Sequence, residues 1–227
     1  MKILVVVAHP DDEILGFGAA GAKYASLGHV IQPLILCGNV DARTNRPTDS
    51  ELYQDMMAAN AVLGFESPVL GNFPNIRLNN VDHISMVQYI EAEILRFRPD
   101  RIYTHHPSDL NDDHLQVSRT CMAASRLFQR RNDLNRLQSL AFMEIPSSTD
   151  WSFPDASDVF RPNTFVEIGE HYLKKKIEAL ACYRKVMRPF PHSRSIEALT
   201  GLAACRGAQS GRDYAEAFQT VFQVEPE

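Results

Sequence analysis

The sequence is short of several features that would each point to a different class of protein. Cysteine is scarce and scattered: Cys37, Cys121, Cys182 and Cys205 show no paired spacing. That excludes a disulfide framework and a zinc-knuckle pattern, and it fits reduced thiols. No stretch approaches the ~18 consecutive apolar residues of a membrane-spanning helix. The apolar run near the start, Ile3 to Val7, is too short for a signal-peptide core and no small-residue cleavage site follows it. The expected location is therefore cytoplasmic. Positive charge is not in excess either: 23 Lys and Arg against 28 Asp and Glu give a net charge of −5, which offers no broad basic footprint for nucleic acid. Internal repeats and low-complexity segments are absent.

What is present reads as one globular domain. A chain of 227 residues with 44% hydrophobic content can bury a substantial core. Strand and helix signals alternate, which predicts an α/β fold with helices covering a mostly parallel sheet. Lys2-Ile3-Leu4-Val5-Val6-Val7 is the first buried strand, and an Ala/Gly-rich helix over 13–27 follows, ending at Gly28. His29 to Cys37 reads as a second strand, with Pro33 arguing for an edge position. Thr48 to Leu63 is a helix with Thr48 or Ser50 as cap and Leu52, Met56, Ala59 and Leu63 on one face. Ser67 to Leu70 is a short strand. A helix over 82–97 aligns Ile84, Val87, Ile90, Ile94 and Phe97, and a strand at Arg101 to Thr104 leads to a helix over 113–129. Leu140 to Ile145 is a further strand and Glu170 to Met187 a helix. Residues 146–227 are expected as a loop and helical extension that completes the pocket.

Two polar clusters follow predicted strands, and that is where open α/β sheets bind ligands. The first is Ala8-His9-Pro10-Asp11-Asp12-Glu13. His9 and Asp12 stand three apart across a turn and can converge on one metal ion, while Asp11 aims elsewhere and is placed to accept a proton from water. Capping of the next helix would need one aspartate, not a histidine and two. The second cluster is His105-His106-Pro107-Ser108-Asp109-Leu110-Asn111-Asp112-Asp113-His114. One of its members can complete a two-histidine, one-carboxylate site, although Asp112 and Asp113 are also good helix caps.

The strand followed by AHPDDE, the downstream H-P-x-D-x-N-x-D-H, and a tail with RPFPHSRS and AEAF resemble the LmbE/PIG-L family of zinc-dependent N-deacetylases. The resemblance covers most of the chain. It implies a Rossmann-like three-layer sandwich acting as an amide hydrolase on linear C–N bonds, removing an N-acetyl or other small N-acyl group from an amino-sugar-type substrate. The metal ligands would be His9, Asp12 and His114, holding one Zn2+ per chain, with Fe2+ able to use the same donors. Asp11 would be the general base and Asp113 an outer carboxylate that tunes the site. One position departs: many members carry a histidine three residues before the last ligand, and here it is Asn111. Asparagine can donate to an oxyanion but cannot act as an acid, so His106 or His192 is the candidate source of the proton. Arg43 and Arg46 resemble positions that contact substrate hydroxyl or phosphate groups, and Arg188 and Arg194 are similar candidates. The expected partner is a small N-acetylated sugar or glycoconjugate, with a second copy of the chain as a further one. A non-catalytic alternative, a receiver-like or sugar-binding α/β module, would need neither His9 nor His114.

Overall fold

The computed structural model describes residues 1–39, 47–153 and 159–224. In chain order the elements are β1 (Lys2–Val7), α1 (Asp12–Ser26), β2 (Val30–Ile35), α2 (Asp49–Leu63), β3 (Val69–Leu70), α3 (His83–Phe97), β4 (Arg101–His105), α4 (Asp112–Ala124), α5 (Leu127–Arg130), β5 (Ser139–Met143), β6 (Thr164–Glu167), α6 (Gly169–Cys182), α7 (Ile196–Ser210) and β7 (Ala215–Gln223). The strands form one sheet in the order β3-β2-β1-β4-β5-β7-β6. The first five run parallel. β7 is antiparallel to β5 and to β6.

The alternation of side chains along the central strands builds two cores. Ile3, Val5 and Val7 face a core shared with α1, α2, α6 and α7. Leu4, Val6 and Ala8 face the other, against α3 and α4. With apolar residues on both faces, β1 is an unbroken aliphatic run, as a strand buried on both sides must be. β2 carries Pro33, which has no N–H to give; β3 pairs β2 only at Leu34 and Ile35, so the proline sits where no outer neighbour needs a donor. Thr48 caps α2 in a reciprocal box with Glu51.

Three expectations give way to tertiary context. Ile84 is exposed rather than part of the α3 stripe. The helix over 113–129 is split into α4 and α5. The C-terminal extension is not only loop and helix, because it adds β6 and β7 to the sheet. Ala215-Glu216-Ala217 favours helix by propensity, yet pairing with β6, and with β5 from Phe218 onward, makes it strand. Glu216 is buried there because it meets the Lys176 Nζ at 2.7 Å and accepts the N–H groups of Ala19 and Ala20. The last strand is thereby fastened onto α1, the helix that carries the first motif.

Candidate metal centre and its cavity

Strand order reverses at β1, with β2 on one side and β4 on the other. The crevice at the carboxyl ends of β1 and β4 is the topological switch point of the sheet. Both polar clusters emerge there, since Val6 pairs with Thr104 only a few residues before each motif.

Asp12 Oδ2 is the meeting point. It lies 3.3 Å from His9 Nδ1 and 3.2 Å from His114 Nε2, and the three ligand atoms lie within 4.8 Å of one another. The far nitrogen of each histidine is held by a buried carboxylate. His9 Nε2 is 2.9 Å from Asp113 Oδ2, and His114 Nδ1 is 2.9 Å from Asp109 Oδ2. A carboxylate behind each imidazole fixes the ring and leaves the inward nitrogen as the donor, which is how histidine ligands are oriented. Asp109 is itself fixed by Thr149 Oγ1 at 2.6 Å. Behind His114, His105 stacks at 3.8 Å between ring centroids. His105 Nε2 accepts the Ala8 N–H at 2.8 Å, so its proton sits on Nδ1 and the ring is neutral. Burial, then the neighbouring His114, pushes its pKa well below the ordinary value.

The electrostatics call for a cation. Asp11, Asp12, Asp109 and Asp113 are all buried here, with Arg194 the arginine in contact. Burial lowers the His114 pKa, but Asp12 and Asp109 outweigh it and raise it to about 10. Burial likewise opposes ionisation of Asp12, and His114 and His9 still hold it well below the usual carboxylate range. In Asp113, burial raises the pKa while His9 and the backbone N–H groups of Leu78 and Ile76 bring it below normal. A pocket that draws protons onto a buried histidine suits a divalent cation in their place.

Asp11 behaves differently from its neighbours. It occupies the N-cap position of α1 in the left-handed region, φ 100°, and its carboxylate makes no capping bond. Its Oδ2 instead accepts from Arg194 Nη1 at 3.0 Å, and Arg194 Nε donates to Ser147 Oγ at 2.7 Å. Glu13, fully buried, accepts the Asp11 N–H at 3.0 Å, the Tyr183 hydroxyl at 2.6 Å and Asn60 Nδ2 at 3.0 Å. Burial pushes the Glu13 carboxyl up to about 7. The backbone turn that aims Asp11 into the cavity is thus held by the last residue of the same motif. Ile76 is another non-glycine in this region, φ 56°. For a β-branched residue this costs about 1–2 kcal/mol.

The cavity, about 790 Å3, is lined by His9, Asp11, Asp12, Asn111 and His114 from the two motifs, and by Arg184, Lys185, Arg188, His192 and Arg194 from the C-terminal part of the chain. Asn111 caps α4, its Oδ1 accepting the Asp113 N–H at 3.0 Å. Its amide Nδ2 takes no part in that cap, and Asn111 lines the cavity. Neither Asp112 nor Asp113 caps this helix. His192 Nδ1 accepts the Arg194 N–H at 3.0 Å. Slight burial and the charges of Arg194 and Arg188 lower its pKa. Arg184 is taken up by Glu51 and Asp55.

Two expectations change. His106 does not reach the cavity: it is buried edge-on to Phe142 and Phe160, with Nδ1 2.7 Å from Ser108 Oγ. Arg194, expected on the substrate, grips Asp11. Arg43 and Arg46 lie outside the described residues. The sequence allows Asp109 a hydrogen bond to a neighbouring histidine or to sugar hydroxyls without a firm role, and it assigns no role to Glu13 or Tyr183. Asp109 and Glu13 stand inside the motifs, so their positions were visible. Their partners, Thr149, Asn60 and Tyr183, lie 40, 47 and 170 residues away.

Comparison with known proteins gives the family and the fold. The sequence model of PIG-L, GlcNAc-PI de-N-acetylase, matches residues 4–125, more than half the chain and both motifs. An uncharacterized deacetylase of Escherichia coli K12, YaiS, is 29% identical over 189 residues, covering 78% of this chain and 88% of its own. The fold matches the N,N'-diacetylchitobiose deacetylase of Pyrococcus horikoshii with TM-score 0.78 at 17% identity, over 97% of this chain and 83% of that one. It also matches GalB, the 4-carboxy-2-hydroxymuconate hydratase of Pseudomonas putida KT2440, with TM-score 0.77 at 22% identity, over 100% and 98% of the chains.

Proposed function

The chain belongs to the PIG-L de-N-acetylase family, and from that premise we propose that it hydrolyses an N-acetyl or other small N-acyl group from an amino sugar or its conjugate, using one divalent metal, zinc first. The observation that carries this reading is the set of His9, Asp12 and His114 around one point, each histidine backed by a carboxylate. The fold alone does not choose the reaction, since a hydratase shares it. The family match and the deacetylase relative favour amide hydrolysis.

A divalent cation held by these three residues would polarise the amide carbonyl and acidify a water. Asp11 then takes a proton from the attacking water as the C–O bond forms. Arg194 holds the Asp11 carboxylate in place from the far side. Asn111 Nδ2 donates to the carbonyl oxygen as it gains charge, which supplies the electrostatic part of catalysis without an acid. When the C–N bond breaks, the amine nitrogen takes its proton from Asp11, with His192 as the second candidate. The products are a carboxylate and a free amine.

The test is a screen of N-acetylated sugars for amine and acetate release, with chelated and zinc-reloaded protein. Metal-dependent release from at least one is expected; no release from any, with metal bound, would overturn the reading. The arginines should separate in the same assay. Arg188 is exposed and has no side-chain partner among the described residues, so Arg188→Ala is expected to raise KM with little change in kcat. Arg194→Ala removes a partner of the base and should lower kcat by roughly tenfold or more, toward the low end of general-base effects. Equal effects of both on KM alone would return Arg194 to substrate binding.

A further inference from the structure

Ile76 is in the wrong conformation for its side chain. A backbone at φ 56° suits glycine or asparagine, and isoleucine carries strain there. The conformation itself has a cause. The Ile76 N–H donates to Asp113 Oδ2 at 2.6 Å and the Leu78 N–H to Asp113 Oδ1 at 3.0 Å, behind His9. Any residue except proline supplies that N–H, so the metal centre explains the turn and leaves the isoleucine unexplained.

The core does not explain it either. Ile76 belongs to neither hydrophobic cluster and is 52% exposed. What its side chain does is line the cavity, together with His9, Asp12 and His114. Leu110 lines the same cavity and is 64% exposed. Its backbone N–H is used, donating to Ser148 O at 3.3 Å, but its side chain is likewise outside both clusters. In a cavity whose other lining, Pro47 and Val186 apart, is ionic, amide and hydroxyl groups, two large aliphatic side chains left exposed by their own fold offer an apolar surface to a bound molecule.

We propose that Ile76 and Leu110 are specificity-determining residues: they form an apolar flank of the cavity that packs against an aglycone or other hydrophobic substituent of the acylated amino sugar. This rests on the hydrolase reading above and narrows it to conjugates with an apolar group rather than free sugars. Strain at Ile76 is the cost of keeping that flank next to the metal centre. Replacing it by a residue suited to the backbone should therefore stabilise the protein while impairing it.

The probes are the methyl and phenyl glycosides of N-acetylglucosamine, and the two corresponding free-amine glycosides for binding by calorimetry. For the native protein the phenyl compound is expected to exceed the methyl one in kcat/KM by roughly tenfold, the scale of a modest apolar contact. In Ile76→Asn and in Leu110→Ser this preference should shrink toward unity. The Tm of Ile76→Asn should rise by roughly 2–4 °C, and metal content should stay unchanged. A phenyl preference that survives both substitutions, or a lower Tm in Ile76→Asn, would overturn the proposal. If the native protein hydrolyses neither glycoside, the free-amine pair still reads the flank: tighter binding of the phenyl compound, lost in both variants, supports it while the hydrolase reading fails. Equal binding of the two amines by the native protein overturns it.

Discussion

Asp11→Asn is expected to keep its metal and most of its substrate affinity while kcat falls by at least ~10²-fold. The structure gives the separation a geometric basis. Asp12 Oδ2 faces both histidines, whereas the Asp11 carboxylate is turned toward Arg194 by a backbone in the left-handed region. Asparagine is tolerated in that region, so the turn should survive. The amide still presents an oxygen to Arg194 but has no lone pair basic enough to accept a proton from water. Metal analysis and steady-state kinetics on the same preparation read both halves. Loss of metal would make Asp11 a ligand; full activity with metal intact would move the base to another carboxylate. Because Asp11 contacts Arg194 and shares the site with coupled groups, the acidic limb of the kcat/KM profile should be described by apparent values for the cluster.

His114→Ala is expected to abolish metal retention through purification and, with it, activity. In the proposed centre the histidine supplies one donor to the metal, and it separates two buried carboxylates, Asp12 and Asp109. Without it those carboxylates face each other with neither metal nor imidazole between them, so the variant should also be less stable by about 3–5 kcal/mol, the range for removing one partner of a buried pair. The sharper measurement is Asp109→Asn. Asp109 stands outside the proposed ligand set; it holds His114 Nδ1 at 2.9 Å. The amide can still accept that N–H through its oxygen, but without the negative charge that makes the ring a stronger donor. Metal affinity should drop by roughly 10–100-fold, the usual effect of losing an outer partner, with the protein still folded. Competition with a chromophoric chelator measures it directly. Native affinity in Asp109→Asn, together with an unchanged pH dependence of metal binding, would reduce Asp109 to a structural contact.

The local signals in this sequence were strong where chemistry and secondary structure coincide. An aliphatic run ending in His9-Pro10-Asp11-Asp12 states, without any other residue, that a strand delivers a histidine and two carboxylates to a sheet edge. The capping pattern of α2, the apolar stripes of α2 and of α3 from Val87 onward, and the parallel order implied by alternating elements are likewise properties of short windows. They depend on backbone periodicity and on hydrogen bonds made within a few residues, so the sequence by itself determined them. That His9, Asp12 and His114 converge was legible only through family resemblance, because the second motif stands about 100 residues downstream. The structure supplies the reason in β1 pairing with β4.

Everything decided by pairing between distant segments needed the tertiary structure. Ala215-Glu216-Ala217-Phe218 is strand because β6 flanks it, with β5 joining at Phe218, and because Lys176 and two α1 N–H groups donate to a buried Glu216; no local propensity says so. His106 and His114 are alike in sequence as polar-loop histidines. One is enclosed by Phe142 and Phe160 and the other by Asp12 and Asp109, and that enclosure alone separates a core ring from a candidate ligand. Arg194 could have met solvent, substrate or protein, and Asp11 claims it from 183 residues away. Ile76 gave no sign at all, since a positive φ is imposed by Asp113 on a residue whose own preference opposes it. Charge pairing and burial act through space and over any separation along the chain. The sequence therefore fixes which chemical groups are available, and only the fold fixes which of them face one another.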